Sequence, residues 1–159
     1  MRDIKFQALV VKHALSNLGS NMHWAGIDSY EEIIDVHDIS FDNGKIDYVT
    51  DKDGDEYSFA DKSLKAVRQY TGLKDNNGKE IYEGDIIRIT FDTIWAEEPY
   101  YVGEVKFLDS ENYPAFDLRP WIDCEMNALS WLKSESDPTV ISYEVIGNIY
   151  EDTELFESK

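Results

Sequence analysis

The chain is written in short alternating runs bounded by turn residues. Ile87, Ile89 and Phe91 alternate with Arg88 and Thr90, the period-two pattern of a strand with one buried face. Tyr101, Val105 and Phe107 repeat it within Tyr100–Leu108, where Gly103 suggests a bend or bulge. Ile141, Tyr143 and Val145 do the same within Val140–Tyr150, with Gly147 marking a second bend. At the start, Ile4, Phe6 and Ala8 oppose Asp3, Lys5 and Gln7, which predicts an opening strand over Asp3–Val11. Shorter strands are expected at Ile33–Ile39, Lys45–Thr50 and Pro114–Leu118.

The punctuation between these runs is hairpin chemistry. Asp42-Asn43-Gly44 and Asp53-Gly54 read as two hairpin tips around Lys45–Thr50. Asp75-Asn76-Asn77-Gly78 packs four turn formers between Leu73 and Ile81, and Glu83-Gly84-Asp85 leads into the strand at Ile86. Ser16–Asn21 and Thr93–Pro99 read as loops, the second with Trp95 partly exposed. Helical spacing is scarce. Ile122, Met126 and Leu129 predict a helix over Trp121–Lys133, and Leu64, Val67 and Arg68 suit one or two helical turns in Asp61–Gln69. Ser29–Glu32 either caps a short helix, with Glu32 at the capping-box position, or runs straight into a strand. The pattern therefore predicts a mainly β protein. It has an N-terminal β-rich segment (1–69), a C-terminal bent sheet or small barrel (70–159), and one or two short helices, all in one compact unit. The order GDIIRITF, YYVGEVKF, ISYEVIGNIY is similar in shape to SH3-like barrels, which says nothing about ligand.

One stretch also carries a resemblance. YTGLKDNNGKEIYEGDI, from Tyr70 to Ile86, closely resembles the signature of the YopX family, small proteins encoded by phages and prophages of Gram-positive bacteria. YEVIGNIYED, from Tyr143 to Asp152, resembles that family's closing motif, and Ile4-Lys5-Phe6 and Phe41–Ile46 are weaker matches to its opening segment. The chain departs from the pattern at Gln7-Ala8-Leu9, which replaces an Arg-x-Trp-like segment, and His13–Glu32 shows no recognisable motif of it. The resemblance implies a mainly β fold with a small C-terminal barrel and a phage or prophage origin. It implies no activity.

Composition narrows the setting. With 159 residues, 42% hydrophobic and 13% aromatic, the chain is long and apolar enough to bury a core. No apolar run approaches the roughly 20 residues of a membrane span, and Lys12 and His13 interrupt any secretory h-region. Cys124 is the single cysteine, which excludes an internal disulfide and fits a reducing compartment. A bacterial cytoplasm is the expected location. The net charge is −18, split as −5 over Met1–Gln69 (8 basic, 13 acidic) and −13 over the rest (7 basic, 20 acidic). Such a field repels nucleic-acid phosphates and anionic membranes and favours basic partners, although solubility alone explains it more simply.

Little in the sequence points to catalysis. His13, His23 and His37 lack the spacing of a metal motif and have only Cys124 to join them, so no zinc site is expected. Asp51-Lys52-Asp53-Gly54-Asp55-Glu56 fails the calcium-loop spacing, since Gly54 falls fourth and Lys62 twelfth. No phosphate loop, dinucleotide fingerprint or nucleophile elbow occurs, and carboxylate pairs are too numerous to be informative. The expectation is a protein that is not an enzyme and carries no metal or cofactor. Trp95, Tyr100 and Tyr101 are the candidate partner-binding residues, because aromatics anchor protein interfaces, whereas Trp121 and Trp131 are read as filling the barrel and its flanking helix. The leading reading is a phage or prophage accessory protein that binds a host or phage protein, with a homo-oligomer left open. The alternative is an acidic decoy that imitates DNA before a host nucleic-acid-binding protein. A small hydrolase or metal-dependent enzyme comes third, supported only by the abundance of carboxylates.

Overall fold

A computed structural model of the chain describes residues 3–15, 27–92, 99–108, 115–119 and 140–151. They form eleven strands and, among the described residues, no helix. In chain order these are β1 (Phe6–Leu15), β2 (Ile27–Asp35), β3 (Asp38–Asp42), β4 (Lys45–Thr50), β5 (Glu56–Ser58) and β6 (Leu64–Lys74). They continue with β7 (Glu80–Tyr82), β8 (Asp85–Phe91), β9 (Tyr100–Phe107), β10 (Phe116–Arg119) and β11 (Val140–Asn148). The fold is mainly β, with a sheet curled into a half-barrel. The helix expected at Trp121–Lys133, the loop at Ser16–Asn21 and the Trp95 loop lie outside the described residues. The strands divide between two compact units, Lys5–Arg68 and Gln69–Lys159 with Met1–Ile4.

In the N-terminal unit, β1 and β2 pair antiparallel in unbroken register from Gln7↔Asp35 to Leu15↔Ile27. The sheet order there is β2-β1-β6, and β3-β4-β5 form a second sheet. Ala8 and Val10 of β1 pack with Val49, Tyr57 and Leu64 into the core, each larger side chain contributing about 1.5–3 kcal/mol. A polar chain crosses the first sheet. The buried Arg68 guanidinium donates to Gln7 Oε1 at 2.6 and 3.0 Å, and Gln7 Nε2 donates to Asp35 Oδ1 at 3.0 Å.

Two expectations change here, and one open reading is decided. The strand expected at Ile33–Ile39 is broken after Asp35, because Val36 N–H donates to Phe6 of β1 while His37 N–H donates to Thr50 of β4. The chain switches partners between those two residues. Asp61–Gln69 is not helical: after a turn over residues 59–62, β6 begins at Leu64. Leu64, Arg68 and Tyr70 are its buried positions, a period-two face disguised by a polar member and by the off-phase Val67. Ser29–Glu32 takes the second of its two readings and lies inside β2.

In the C-terminal unit, the later part of β6 pairs with β7, Tyr70↔Tyr82 and Lys74↔Glu80, around the Asp75–Gly78 turn. The main sheet has the order β10-β9-β8-β11, every pair antiparallel. Ile81, Ile87, Ile89, Val105 and Leu118 form its core, with Leu73, Phe91, Tyr101, Tyr143 and Val145 packed against them. Gly103 makes no bulge, since β8 and β9 stay in register from Ile86↔Glu104 to Thr90↔Tyr100. The bulges are in β11, between Val140 and Ser142 and between Val145 and Gly147. The first explains why Ile141 does not share the inward face of Tyr143 and Val145: the extra residue leaves it 63% exposed.

Candidate functional site

The two motif-bearing stretches meet. Asp75 is only 6% exposed and its carboxylate accepts three backbone N–H groups. Asn77 and Lys79 donate to Oδ1 at 2.8 and 2.9 Å, which fixes the turn; Val145 of β11 donates to Oδ2 at 2.9 Å, which fixes the turn to the strand. Asn76 completes the clip. Its backbone N–H donates to Tyr143 O at 3.1 Å and its side-chain Oδ1 accepts the Tyr143 N–H. Polar side chains thus take the place of a further strand along β11, covering backbone groups that an open edge would leave free to pair with another chain.

The second turn is tied in the same way. Gly84 N–H donates to Val105 O at 2.8 Å, and Gly84 O accepts the Ile149 N–H at 2.9 Å. Asp85, also buried, accepts the Tyr82 N–H at 2.7 Å, and Thr71 Oγ1 donates to Ile81 O at 2.8 Å. Asn148 closes the last turn by accepting N–H groups from Tyr150 and Glu151 at 2.9 and 2.8 Å. The side chains of Thr71, Asp75, Asn76, Asp85 and Asn148 are therefore engaged with backbone. Their chemistry is architectural.

The candidate recognition residues are placed differently from one another. Tyr100 stands 57% exposed on the sheet face turned away from the core. The Arg88 guanidinium lies 5.7 Å from its ring centroid and forms an ion pair with Glu144. Thr90 is the cross-strand partner of both Tyr100 and Ser142, so the exposed Ile141 of the β11 bulge flanks the same row of the sheet. Tyr101 points the other way, into the core, where its ring crosses Gly103. Burial pushes its phenol well above the usual tyrosine range; Asp117 adds to this and Arg119 opposes it. Trp95 lies outside the described residues. Arg88, Glu144 and Ile141 were not singled out by sequence reasoning. The signal for the first two was there, since they are the polar positions of alternating strands, but their pairing across β8 and β11 needed the register.

A second surface belongs to the N-terminal unit. Two adjoining open grooves, of about 490 and 630 Å³, run beside β1 and β2 at His13 and Tyr30. Lys12 is held by Glu32 at 2.7 Å, and that hydrogen bond raises its pKa. Burial raises the Tyr57 phenol pKa, with Lys12 acting against it. Asp61 is held below the usual carboxylate range by Ser63, whose hydroxyl donates at 2.5 Å and whose N–H donates at 2.8 Å. His37 stands 3.7 Å from Asp38, whereas His23 and Cys124 lie outside the described residues. Among the described residues, no three His, Cys, Asp or Glu side chains gather as a metal ion would require. Among the described residues no helix is long and apolar enough to cross a membrane, which says nothing of strands.

No curated protein matches the chain. A solved structure, protein EF1440 from Enterococcus faecalis, has the same fold with a TM-score of 0.52 at 23% identity, the match covering 98% of this chain and 99% of that one. The family model described as YopX protein matches residues 19–157, which includes both clipped stretches and Phe41–Ile46 but begins after Ile4-Lys5-Phe6. The chain belongs to the YopX family.

Proposed function

We propose that this is a non-enzymatic phage or prophage accessory protein that acts by binding another protein through the Tyr100, Arg88 and Ile141 surface. The observation that carries the reading is the exposure of Tyr100 beneath the Arg88 guanidinium, beside an exposed Ile141. Folding favours burying such residues, and tyrosine and arginine are the residue types that dominate binding energy at interfaces. The Arg88–Glu144 pair holds the guanidinium over the ring, which lowers the entropy cost of docking. The charge of −18 directs the protein away from nucleic acid and anionic membrane and toward partners with basic surface. A bacterial cytoplasm is the setting in which the single cysteine would stay reduced.

A photo-reactive residue at position 141, irradiated in host cells, tests the proposal. The expected result is one discrete cross-linked protein, lost in a Tyr100→Ala background whose thermal unfolding is unchanged. A cross-link to a second copy of the chain would make the surface a self-association site. No cross-link, or one indifferent to Tyr100→Ala, would sink the proposal.

A further inference from the structure

We propose that Asn43 is a site of spontaneous covalent modification, at which the side-chain amide is lost through attack by the Gly44 backbone nitrogen. The chain has two Asn-Gly pairs, and each is followed by lysine: Asn43-Gly44-Lys45 at the β3–β4 tip and Asn77-Gly78-Lys79 between β6 and β7. Glycine matters in both. The residue after the asparagine must swing its nitrogen onto the side chain, and without a Cβ it does so with the least steric resistance. The step needs no reagent besides water. The Gly44 nitrogen bonds to Asn43 Cγ, the Cγ–Nδ2 bond breaks, and the proton of the Gly44 N–H passes through water to the departing group, which leaves as ammonia. Water then opens the five-membered imide. Cleavage at Cγ leaves an aspartate, and cleavage at the main-chain carbonyl leaves an isoaspartyl link that runs through the side chain.

Local sequence and exposure do not separate the two pairs. All four residues are exposed, and the glycines have φ of 79° and 80°. Hydrogen bonding does separate them. The Gly78 N–H, the nucleophile at that turn, donates to Asp75 O at 3.0 Å, and the Asn77 and Lys79 N–H groups beside it donate to the buried Asp75 carboxylate. Attack there requires the clipped turn to come apart. The Gly44 N–H makes no hydrogen bond among the described residues, and its two-residue turn is closed by the Asp42↔Lys45 pair, outside the reacting bond. Asn43 also holds a φ of 52°, a conformation that costs a residue with a side chain, whereas Asn77 lies outside that region. Rotation toward attack therefore relieves strain at Asn43 and breaks bonds at Asn77. Either product places a new carboxylate beside Asp42. The isoaspartyl product also lengthens the main chain within the turn and so disturbs the Asp42↔Lys45 pairing.

Incubation of the full chain in mildly alkaline buffer, followed by timed proteolysis and mass spectrometry of the Asn43 and Asn77 peptides, tests the proposal. In the folded chain the Asn43 amide should be lost at least about fivefold faster than that of Asn77, the scale of one backbone hydrogen bond. In concentrated urea the two rates should converge, because the same three residues then stand free of their turns. Methyl transfer by an isoaspartyl-specific methyltransferase gives a second readout. Asn43→Gly keeps a residue that accepts the left-handed backbone and removes the amide, so it should abolish most of the methyl-acceptor signal of the aged protein. Equal rates in the folded chain, or faster loss at Asn77, would overturn the proposal. So would a difference that persists in urea, or a methyl-acceptor signal indifferent to Asn43→Gly.

Discussion

Asp75 accepts the backbone N–H of Val145 at 2.9 Å, a bond between residues 70 positions apart that joins the signature turn to the closing strand. Replacing Asp75 with alanine orphans that N–H together with those of Asn77 and Lys79. Hydrogen bonds to a charged group are worth about 1.5–3 kcal/mol each, reduced where the turn can open to water. We expect Asp75→Ala to cost about 3 kcal/mol, a fall in Tm of about 6–12 °C for a chain of this size. Asp75→Asn keeps the shape but must aim an N–H₂ at one donor, and should cost less. Thermal unfolding by circular dichroism checks both; an Asp75→Ala protein as stable as the parent would remove the clip's structural role.

Gly103 and Tyr101 form a second dependent pair. A Cβ built at position 103 would stand 2.5 Å from the Tyr101 hydroxyl oxygen and 2.8 Å from its Cε1. The ring occupies the space a side chain would take, which is why glycine sits inside a regular strand. Gly103→Ala should cost about 1–3 kcal/mol by forcing the ring aside. The same change in a Tyr101→Leu background should cost less, with a coupling of about 0.5–3 kcal/mol by denaturant double-mutant cycle. Additive effects would mean that the ring has room to move.

These pairs mark what was legible in the sequence. Alternation and turn chemistry place the strands, because a half-buried strand must show period two wherever its buried face is apolar. The Asn43-Gly44 tip falls where the sequence put it, with φ of 52° and 79°. The reading failed at β6, where a buried arginine occupies the inward face, and at Ile141, where one bulged residue reverses the alternation. Tyr100 and Tyr101 illustrate the limit for the site: neighbours in a strand face opposite ways, and only the register decides which one meets solvent. Asp75 was legible as a turn former, but its bond to Val145 depends on a contact across the unit that no local pattern encodes.

Glu104 gives the protein a small, signed pH dependence. Burial raises its carboxyl pKa and Glu83 adds to the rise, while Lys106 opposes it. A folded-state pKa above the unfolded value means that the native state prefers the protonated acid. The associated stability is full below the unfolded value, about 4.3, and is lost as pH rises through the folded one. Glu104→Gln keeps the neutral form at every pH. It should stabilise the protein at pH 7 and leave it unchanged near pH 3.5, measured by urea unfolding at both. Stabilisation confined to low pH would reverse the assignment.

Gly84 and Gly54 offer a matched test of how the turns are used. Both have φ of +86°, so an alanine at either meets the same backbone strain, about 1–2 kcal/mol. Around Gly54 a new Cβ would find nothing within 4 Å. Around Gly84 it would meet Tyr150 Cε2 at 3.0 Å and Ile149 Cγ1 at 3.4 Å, side chains of the closing stretch held there by the Ile149 N–H to Gly84 O bond. Gly54→Ala should therefore cost only the strain. Gly84→Ala should cost about 1 kcal/mol more, from the crowding that any overpacked contact carries. That excess should shrink when Tyr150 is changed to leucine. Equal costs for the two glycines would show that Gly84 serves its turn alone, and that the closing stretch is anchored through Asp75 and Asn76 without it.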